Sequence, residues 1–170
     1  MPHPLVAQLR FTRSEFRRGL AGLREDEAVQ RFMSMNCISW NVGHLAWQEQ
    51  RYFVYFTQNR MPLPHLNELF AYGAPASFPS LHEMWVAWNT ITQAADGWLA
   101  TVTREKLQEH VVVDGQATSY LFGSLLQRVI YHYWYHTGEN LAIRQLLGHA
   151  NLPEFVGDLD GEAPYRPEPG

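Results

Sequence analysis

The distribution of proline constrains the fold of this chain of 170 residues more than any other feature. After Pro4 there is no proline before Pro62, and after Pro79 there is none before Pro153. Because proline lacks a backbone donor and clashes with the preceding turn, it is excluded from helix interiors. The chain therefore divides into two halves that permit long helices, joined by a proline-bearing crossover from Asn59 to Pro79.

Each half has the residue pattern of two helices. Apolar residues recur at intervals of three and four, Ser80 begins a capping-box sequence, and Gly148 stands where a helix would end. We predict four helices with these approximate bounds: Pro4 to Glu25, Ser39 to Thr57 with Asn36 or Ser39 as N-cap, Ser80 to Val102, and Ser119 to Leu147. A crossover of about twenty residues lets helices two and three run parallel. The prediction is an all-α four-helix bundle in up-down-down-up order.

The segments between and after these helices carry weaker signals. The link after helix one has room for one helical turn, and a further turn is predicted at Glu105–Glu109. Val111–Gly115 has the composition of a short extended piece that enters a turn. From Pro153 onward prolines and glycines are frequent, so we assign residues 1–152 to the bundle and residues 153–170 to an irregular tail, either laid over the bundle or loose.

The first two helices differ in polarity. The second is apolar on nearly all sides, which is typical of a helix buried on more than one face, and Gly43 within it allows a neighbour to approach closely. On the first helix the basic residues are predicted to lie mostly on the solvent side: Arg10, Arg13, Arg17 and Arg18.

Composition limits the function classes. Hydrophobic residues make up 46% of the chain, enough for a full core, yet no apolar run approaches the roughly 18–20 residues of a membrane span. The formal net charge of −4 argues against nucleic-acid binding, which needs a basic face. The single cysteine excludes an internal disulfide and, with no signal-peptide pattern at the start, indicates a cytoplasmic protein.

Within the fourth predicted helix, His132 and His136 stand four residues apart and so project from one face on successive turns. Their Cβ atoms would lie roughly 5–6 Å apart, so that two imidazole nitrogens could meet one divalent ion at about 2.0–2.1 Å each. Both lie on the apolar stripe of this helix, together with Leu125, Val129, Ile143 and Leu147. A histidine pair directed at a core must be hydrogen-bonded, liganded or destabilising, so a metal site and a hydrogen-bonded core pair both stay open.

Three segments resemble the DinB family, in its branch of YfiT-like metal-dependent proteins: Asn36–Glu49, His132–Glu139 and Arg144–His149. The resemblance covers most of the chain from Leu5 to His149. It implies a four-helix bundle in up-down-down-up order that holds a divalent metal ion through three histidines, here His44, His132 and His136. It also implies a small-molecule enzyme, because characterised members include transferases and an isomerase that depend on low-molecular-weight thiols, and proposed hydrolases.

Three neutral histidines with an open coordination position fit a catalytic site better than a structural one, which a fourth protein ligand would close. An ion in such a site lowers the pKa of a bound water or thiol and so supplies a nucleophile at neutral pH. Zn, Ni, Cu and Fe all suit three imidazoles, so the sequence does not choose among them.

Glu139 is the candidate catalytic residue, since it follows His136 by three residues. It would serve either as a general base or as an acceptor for an imidazole N–H. The equally weighted alternative is a carboxylate on the helix surface, paired with Arg144 or another cation.

Other residues are weaker candidates. Arg128, one turn before His132, could meet the carboxylate of an anionic substrate, whereas Glu49 is expected in solvent or between helices. Cys37 is predicted to be a small buried hydrophobe. The least favoured site residues are Gln48 and Tyr135, and the histidines expected at the surface are His65, His82, His110 and His149.

Two function classes remain. One is a metal-dependent enzyme, a thiol S-transferase or alternatively a hydrolase, that acts on a small molecule. The other is a non-catalytic metal- or ligand-binding bundle, whose site would be closed by a fourth ligand such as Glu139 or His65. Some aromatic residues beside the histidine pair must line a pocket, a docked tail or a homodimer interface: Tyr131, Tyr133, Trp134 and Tyr135.

Overall fold

The computed structural model describes residues 2–167. The chain is mostly helical and carries a small two-stranded sheet. In chain order the elements are α1 (Pro4–Gly19), α2 (Glu25–Ala28), α3 (Ile38–Glu49), a π-helical segment (Gln50–Tyr55), α4 (Phe56–Gln58), α5 (Leu66–Leu69), α6 (Leu81–Leu99), α7 (Arg104–Gln108), β1 (His110–Val113), β2 (Gln116–Leu121), α8 (Phe122–Leu146) and α9 (Leu159–Glu162). The long helices pack as a bundle, with α1 on α8 and α3 on both α6 and α8. Within the described residues, no helix is both long and apolar enough to cross a membrane.

The first helix is shorter than predicted. It ends at Gly19 instead of near Glu25, because Leu20 caps it and Gly22 adopts a φ of +74°, a left-handed conformation that suits glycine. The single turn expected in the following link is present as α2.

The second helical segment runs without a break from Ile38 to Gln58. Cys37 takes the N-cap position without a side-chain cap, so neither predicted N-cap residue serves there. Every residue of α3 is buried, as its all-round apolar pattern predicts. Gly43 permits the predicted close packing, because a Cβ atom at this position would lie 2.6 Å from Met84 Sδ and 2.9 Å from Phe70 Cδ1.

A buried ionic network ties four helical segments together. The guanidinium of Arg13 on α1 donates from both Nε and Nη2 to the carboxylate of Glu49 at the end of α3, and from Nη1 to Asp96 on α6 at 2.8 Å. Tyr133 on α8 donates to Glu49 at 2.7 Å and accepts from Trp88 Nε1 at 2.7 Å. Burial, together with the neighbouring Glu49 carboxylate, raises the pKa of Tyr133 well above its usual value, so the phenol keeps its proton.

The prediction that places the basic residues of α1 in solvent is therefore wrong for Arg13, which is only 6% exposed. Its position explains the burial, since Arg13 follows Leu9 by four residues and precedes Phe16 by three, on the apolar stripe of the helix. Glu49 lies between helices, which is one of the two positions predicted for it.

A small β-hairpin, which the sequence did not predict, accompanies the mostly helical structure. The extended piece predicted at Val111–Gly115 is β1 and its turn, but the chain returns as β2, so the last helix begins at Phe122 and not near Ser119. Asp114 and Gly115 have φ values of 51° and 77°, as a two-residue hairpin turn of the type I′ class requires. The burial pattern of β2 is mostly exposed, which is why no apolar alternation marks it in the sequence.

The last long helix ends as predicted. Gly148 has a φ of +84°, its N–H donates to Gln145 O at 3.0 Å, and the N–H of His149 donates to Arg144 O at 3.0 Å. These two bonds make a Schellman motif, in which a left-handed glycine stops the helix.

The C-terminal segment after Pro153 packs on α1. Of the two predicted alternatives, a tail laid over the bundle or a loose one, this is the first. Gln8 Nε2 donates to Ala163 O at 2.7 Å, and Gly157 N donates to the carboxylate of Glu15 at 2.7 Å. Arg18 donates to Glu154 O at 2.8 Å. A short helix, α9, forms within this segment, where the sequence predicts only irregular structure.

Candidate metal centre

Three histidines meet between α3 and α8. His44 is on α3, and His132 and His136 stand one turn apart on α8. The Nε2 atom of His132 lies 3.2 Å from Nε2 of His44 and 3.0 Å from Nε2 of His136. The three rings are steeply inclined to one another, at interplanar angles from 62° to 83°. The nitrogens therefore converge from three directions on a common point, and the potential ligand atoms all lie within 4.8 Å of one another.

The opposite nitrogen of each ring is held by an oxygen atom. Nδ1 of His44 lies 2.6 Å from the backbone oxygen of Phe70, Nδ1 of His132 lies 2.8 Å from Gln48 Oε1, and Nδ1 of His136 lies 2.7 Å from Glu139 Oε2. Carbonyl and carboxylate oxygens only accept, so each Nδ1 must carry the proton that it donates. Each neutral ring then presents a bare lone pair at Nε2.

Three lone pairs that face one another at these distances repel unless a cation lies between them. Tetrahedral coordination at about 2.0–2.1 Å would separate two ligand nitrogens by about 3.3 Å, close to the 3.0 and 3.2 Å found here. The three histidines thus fit a divalent ion, and each Nδ1 bond supplies the orienting contact that metal-ligating histidines usually make.

The surroundings of the cluster keep two of the rings neutral. The pKa of His44 is lowered to about 4 and that of His132 to about 3, in both cases mainly by burial and in part by the neighbouring His136. His44 and His136 are 5% and 6% exposed, while His132 is half-buried. Neutral imidazoles are the form that binds metal, so the site is prepared for it at pH 7.

Aromatic rings and amides fix the cluster from the α3 side. His44 is stacked between Trp40 and Trp47, with ring centroids 4.8 and 5.2 Å away. Asn41 donates to Glu139 Oε2 at 3.0 Å, the oxygen that also accepts from His136. These contacts leave the His44 and His136 rings little freedom to turn away from the common point.

The structure brings together His44, His132, His136, Glu139 and Gln48, of which Gln48 was among the least favoured in the sequence. Of the other candidates, Glu49 belongs to the ionic network, Arg128 lines a neighbouring cleft, and Tyr135 is 68% exposed with its ring 5.0 Å from that of His136. Three of the histidines expected at the surface are exposed, namely His65, His82 and His110, whereas His149 is half-buried and bonded to Arg144 and Glu27. Cys37 is fully buried, as predicted.

Sequence reasoning missed several residues that shape the site. Helical spacing could have found Trp40 and Trp47, which lie four before and three after His44, and Asn41, three before it. The oxygen of Phe70 had no such signal, because it is a backbone atom contributed by the crossover.

Comparison with known proteins agrees with the resemblance noted in the sequence. The family model of the DinB superfamily matches residues 8–139, which is well over half of the chain. No curated protein matches the chain.

Proposed function

The chain belongs to the DinB superfamily, and on that basis we propose that it is a divalent-metal-dependent enzyme in which His44, His132 and His136 hold the ion. We further propose that it transfers a small thiol to an electrophilic small molecule. One observation carries the metal site: each Nδ1 is bound to an oxygen acceptor, so that all three Nε2 lone pairs converge. Zn, Ni, Cu and Fe remain candidates, since three imidazoles accept each of them.

A divalent ion here would act as a Lewis acid that lowers the pKa of a thiol or water. The protein residues do the remaining work by position. The stacked Trp40 and Trp47 exclude water around His44, and the low local dielectric strengthens every electrostatic interaction in the site. Among the described residues the group of possible ligands contains three histidines and no fourth member, which supports an open position and hence the enzyme over the closed binding bundle.

We assign Glu139 an orienting role. Its Oε2 accepts from Nδ1 of His136, and Nδ1 is on the far side of the ring from the nitrogen that faces the cluster. The carboxylate can thus raise the basicity of His136 and fix its tautomer, but its bound oxygen does not reach the reacting atoms. The thiol transferase is preferred to a hydrolase by analogy with the family's activities, and both would use the same three ligands.

We also propose the order of the helices, the oligomeric state and the cellular location. An up-down-down-up order is supported by contacts that advance in the same direction along the second helical segment (Ile38 to Gln58) and α6, since Gly43 faces Met84 and Phe53 stacks on Trp98. Along α3 and α8 the contacts run in opposite directions, from Asn41 with Asn140 to Gln48 with His132. A homodimer is supported by two exposed tyrosines one turn apart on α8, Tyr131 and Tyr135, and a cytoplasmic location by the free thiol of Cys37.

The metal site is tested by elemental analysis of protein purified without a histidine tag. Replacing His44, His132 or His136 by Ala should remove most of the bound metal while the helical circular dichroism signal is kept. Glu139→Gln should weaken metal binding about 10–100-fold in a chelator competition, because the orienting carboxylate is lost. His82→Ala is the matched control, since this exposed histidine lies outside the cluster. One metal per chain in the triple histidine variant would exclude these ligands.

The activity is tested with metal-loaded protein, a panel of bacterial thiols and chlorodinitrobenzene. In the expected reaction a carbon–sulfur bond forms, the carbon–chlorine bond breaks, and chloride and one proton are released. The His132→Ala variant measures the background. Conjugation no faster than with this variant would refute the transferase.

A further inference from the structure

A cleft of about 550 Å³ lies beside the histidine cluster, between the π-helical segment, the crossover, the hairpin and the start of α8. We propose that this cleft binds the electrophilic substrate, and that this substrate is a small organic anion with a planar apolar body. The assignment as substrate rests on the proposed function. The volume suits a small molecule, because ligand pockets typically enclose about 300–1,000 Å³.

The π-helical segment and the crossover form two of the walls of the cleft. The π-helical segment presents Arg51, Tyr52 and Tyr55 to it, and such segments are rare in helices and frequent at functional sites. The fully buried Gln50 then clamps the crossover, donating to Leu63 O and accepting from Leu63 N, both at 2.8 Å. These two hydrogen bonds to the backbone of Leu63 hold the crossover in place as the opposite wall.

Two guanidinium groups make the cleft attractive to an anion. Arg51 lies over three aromatic rings, the nearest being Phe56 at 5.6 Å, and Arg128 lies over Tyr120 at 5.8 Å. Within residues 2–167 neither guanidinium has an ion pair or a hydrogen bond from its side chain, so their N–H groups are available to a carboxylate. Asp114 is the only acid among the described lining residues, and two arginines against one aspartate leave the cleft positively charged.

The remaining walls of the cleft are apolar and aromatic, so they favour a ligand whose uncharged part is apolar and planar. Tyr52, Tyr55, Phe56 and Tyr120 contribute rings, and Leu125 contributes a buried aliphatic wall. Rings of this kind stack favourably on a planar unsaturated ligand. An anion without a planar body would leave these walls uncovered.

Three side chains link the walls of the cleft to the metal centre. Arg128 precedes His132 by one turn of α8, about 6 Å along the helix axis. Arg51 lies 5.9 Å from the ring of Trp47, which stacks on His44 and donates to Asn67 Oδ1, a lining residue, at 3.0 Å. A planar anion anchored between the two arginines would extend toward the half-buried His132.

Naphthoate and its neutral amide, naphthamide, are the probes. Binding to the metal-free protein is measured by isothermal titration calorimetry, so that direct ligation of a metal cannot contribute. Naphthoate should bind at least tenfold more tightly than naphthamide, because a charge-assisted hydrogen bond is worth roughly a factor of ten or more. Equal affinities for acid and amide, or no binding of naphthoate at millimolar concentration, would overturn the proposal.

Variants locate the binding. Arg51→Gln and Arg128→Gln should each weaken naphthoate binding about tenfold, and Asp114→Asn should strengthen it severalfold, because a repulsive charge is removed. Arg17→Gln is the control, since Arg17 also lies over aromatic rings, those of Trp85 and Trp88, but outside the cleft. An unchanged affinity in the Arg51 and Arg128 variants, or an equal loss in the control, contradicts the assignment. Competition by glutathione, an anionic thiol without a planar body, would assign the cleft to the thiol instead and also overturn it.

The link to the metal centre has its own readout. In cobalt-substituted protein, naphthoate should shift the visible absorption of the metal, and Arg128→Gln should reduce this shift severalfold at a subsaturating naphthoate concentration. Naphthoate binding without a spectral shift would make the cleft a separate site and refute its role as substrate subsite. Failure of the proposed function looks different, because protein that binds no metal could still bind naphthoate in the metal-free titration.

Discussion

Acidification should destabilise the metal-free protein through its histidine cluster. In the folded protein the pKa of His44 is lowered to about 4 and that of His132 to about 3, mainly by burial, whereas a histidine in the unfolded chain has a pKa of about 6.5. The unfolded chain therefore binds more protons below pH 6.5, so the free energy of unfolding decreases as the pH falls through this range. The decrease from each histidine ends only near its folded pKa.

The magnitude follows from the size of the two shifts. Each histidine lowers the free energy of unfolding by up to about 1.4 kcal/mol per pH unit between the unfolded and folded pKa values. Between about pH 6.5 and pH 5, His44 and His132 together contribute a loss of about 3 kcal/mol, since the unfolded histidines are only half protonated at the start of this interval. Since small proteins are stable by only about 5–15 kcal/mol, this loss should bring the metal-free protein close to unfolding.

The assay is urea unfolding in the presence of a chelator, followed by far-ultraviolet circular dichroism at several pH values between about 7.5 and 5. This range avoids most carboxylate titration, because carboxyl groups such as those of Glu15 and Glu27 have their pKa lowered by hydrogen bonds. Replacing His44 or His132 by Gln should remove about half of the pH dependence. Equal stability at both ends of the range in the unsubstituted protein, or an unchanged slope in both variants, would refute the reasoning.

Two further predictions concern stability away from the metal. Glu49→Gln removes the buried carboxylate that pairs with Arg13 and leaves the guanidinium only the half-buried Asp96 as a charged partner. It should therefore lower the free energy of unfolding by about 3 kcal/mol, whereas the Arg13→Met and Glu49→Leu double variant should lose less. Urea denaturation of both variants measures this, and a double variant less stable than Glu49→Gln would contradict the account. Gly43→Ala should lower the free energy of unfolding by about 1–3 kcal/mol, because the added Cβ would lie 2.6 Å from Met84 Sδ. An unchanged midpoint of urea unfolding would contradict this and show that the sulfur atom can move aside.

Much of the fold and part of the site could be predicted because they follow from local periodicity. The spacing of His132 and His136 on an apolar stripe places both imidazoles on one face of any helix that contains them. Gly148 after the last apolar residue fixes the end of that helix through a local hydrogen-bond pattern. The third ligand, His44, came from a family resemblance, since no spacing within α3 connects it to α8.

The residues that escaped prediction depend on tertiary contacts. The acceptor for His44 is a backbone oxygen from the crossover, and the π-helical turn at Gln50 is stabilised by bonds to Leu63, so neither leaves a mark in local sequence. The burial of Arg13 was missed for a different reason, because a charged residue on an apolar stripe is ordinarily assigned to solvent. Here a fully buried carboxylate on another helix, Glu49, reverses that expectation.

The ionic network and the metal centre depend on the same helix register. Gln48 and Glu49 are consecutive on α3, and they bond to His132 and Tyr133, which are consecutive on α8, at 2.8 and 2.7 Å. One pair orients a histidine of the cluster, and the other closes the network around Arg13. Sliding α3 by one residue would shift it by about 1.5 Å and turn its side chains by about 100°, which would break both pairs at once. A buried ion pair adds little net stability over an apolar core, but it penalises such misalignment strongly. The network therefore explains how two separate helices hold three imidazole nitrogens at one point.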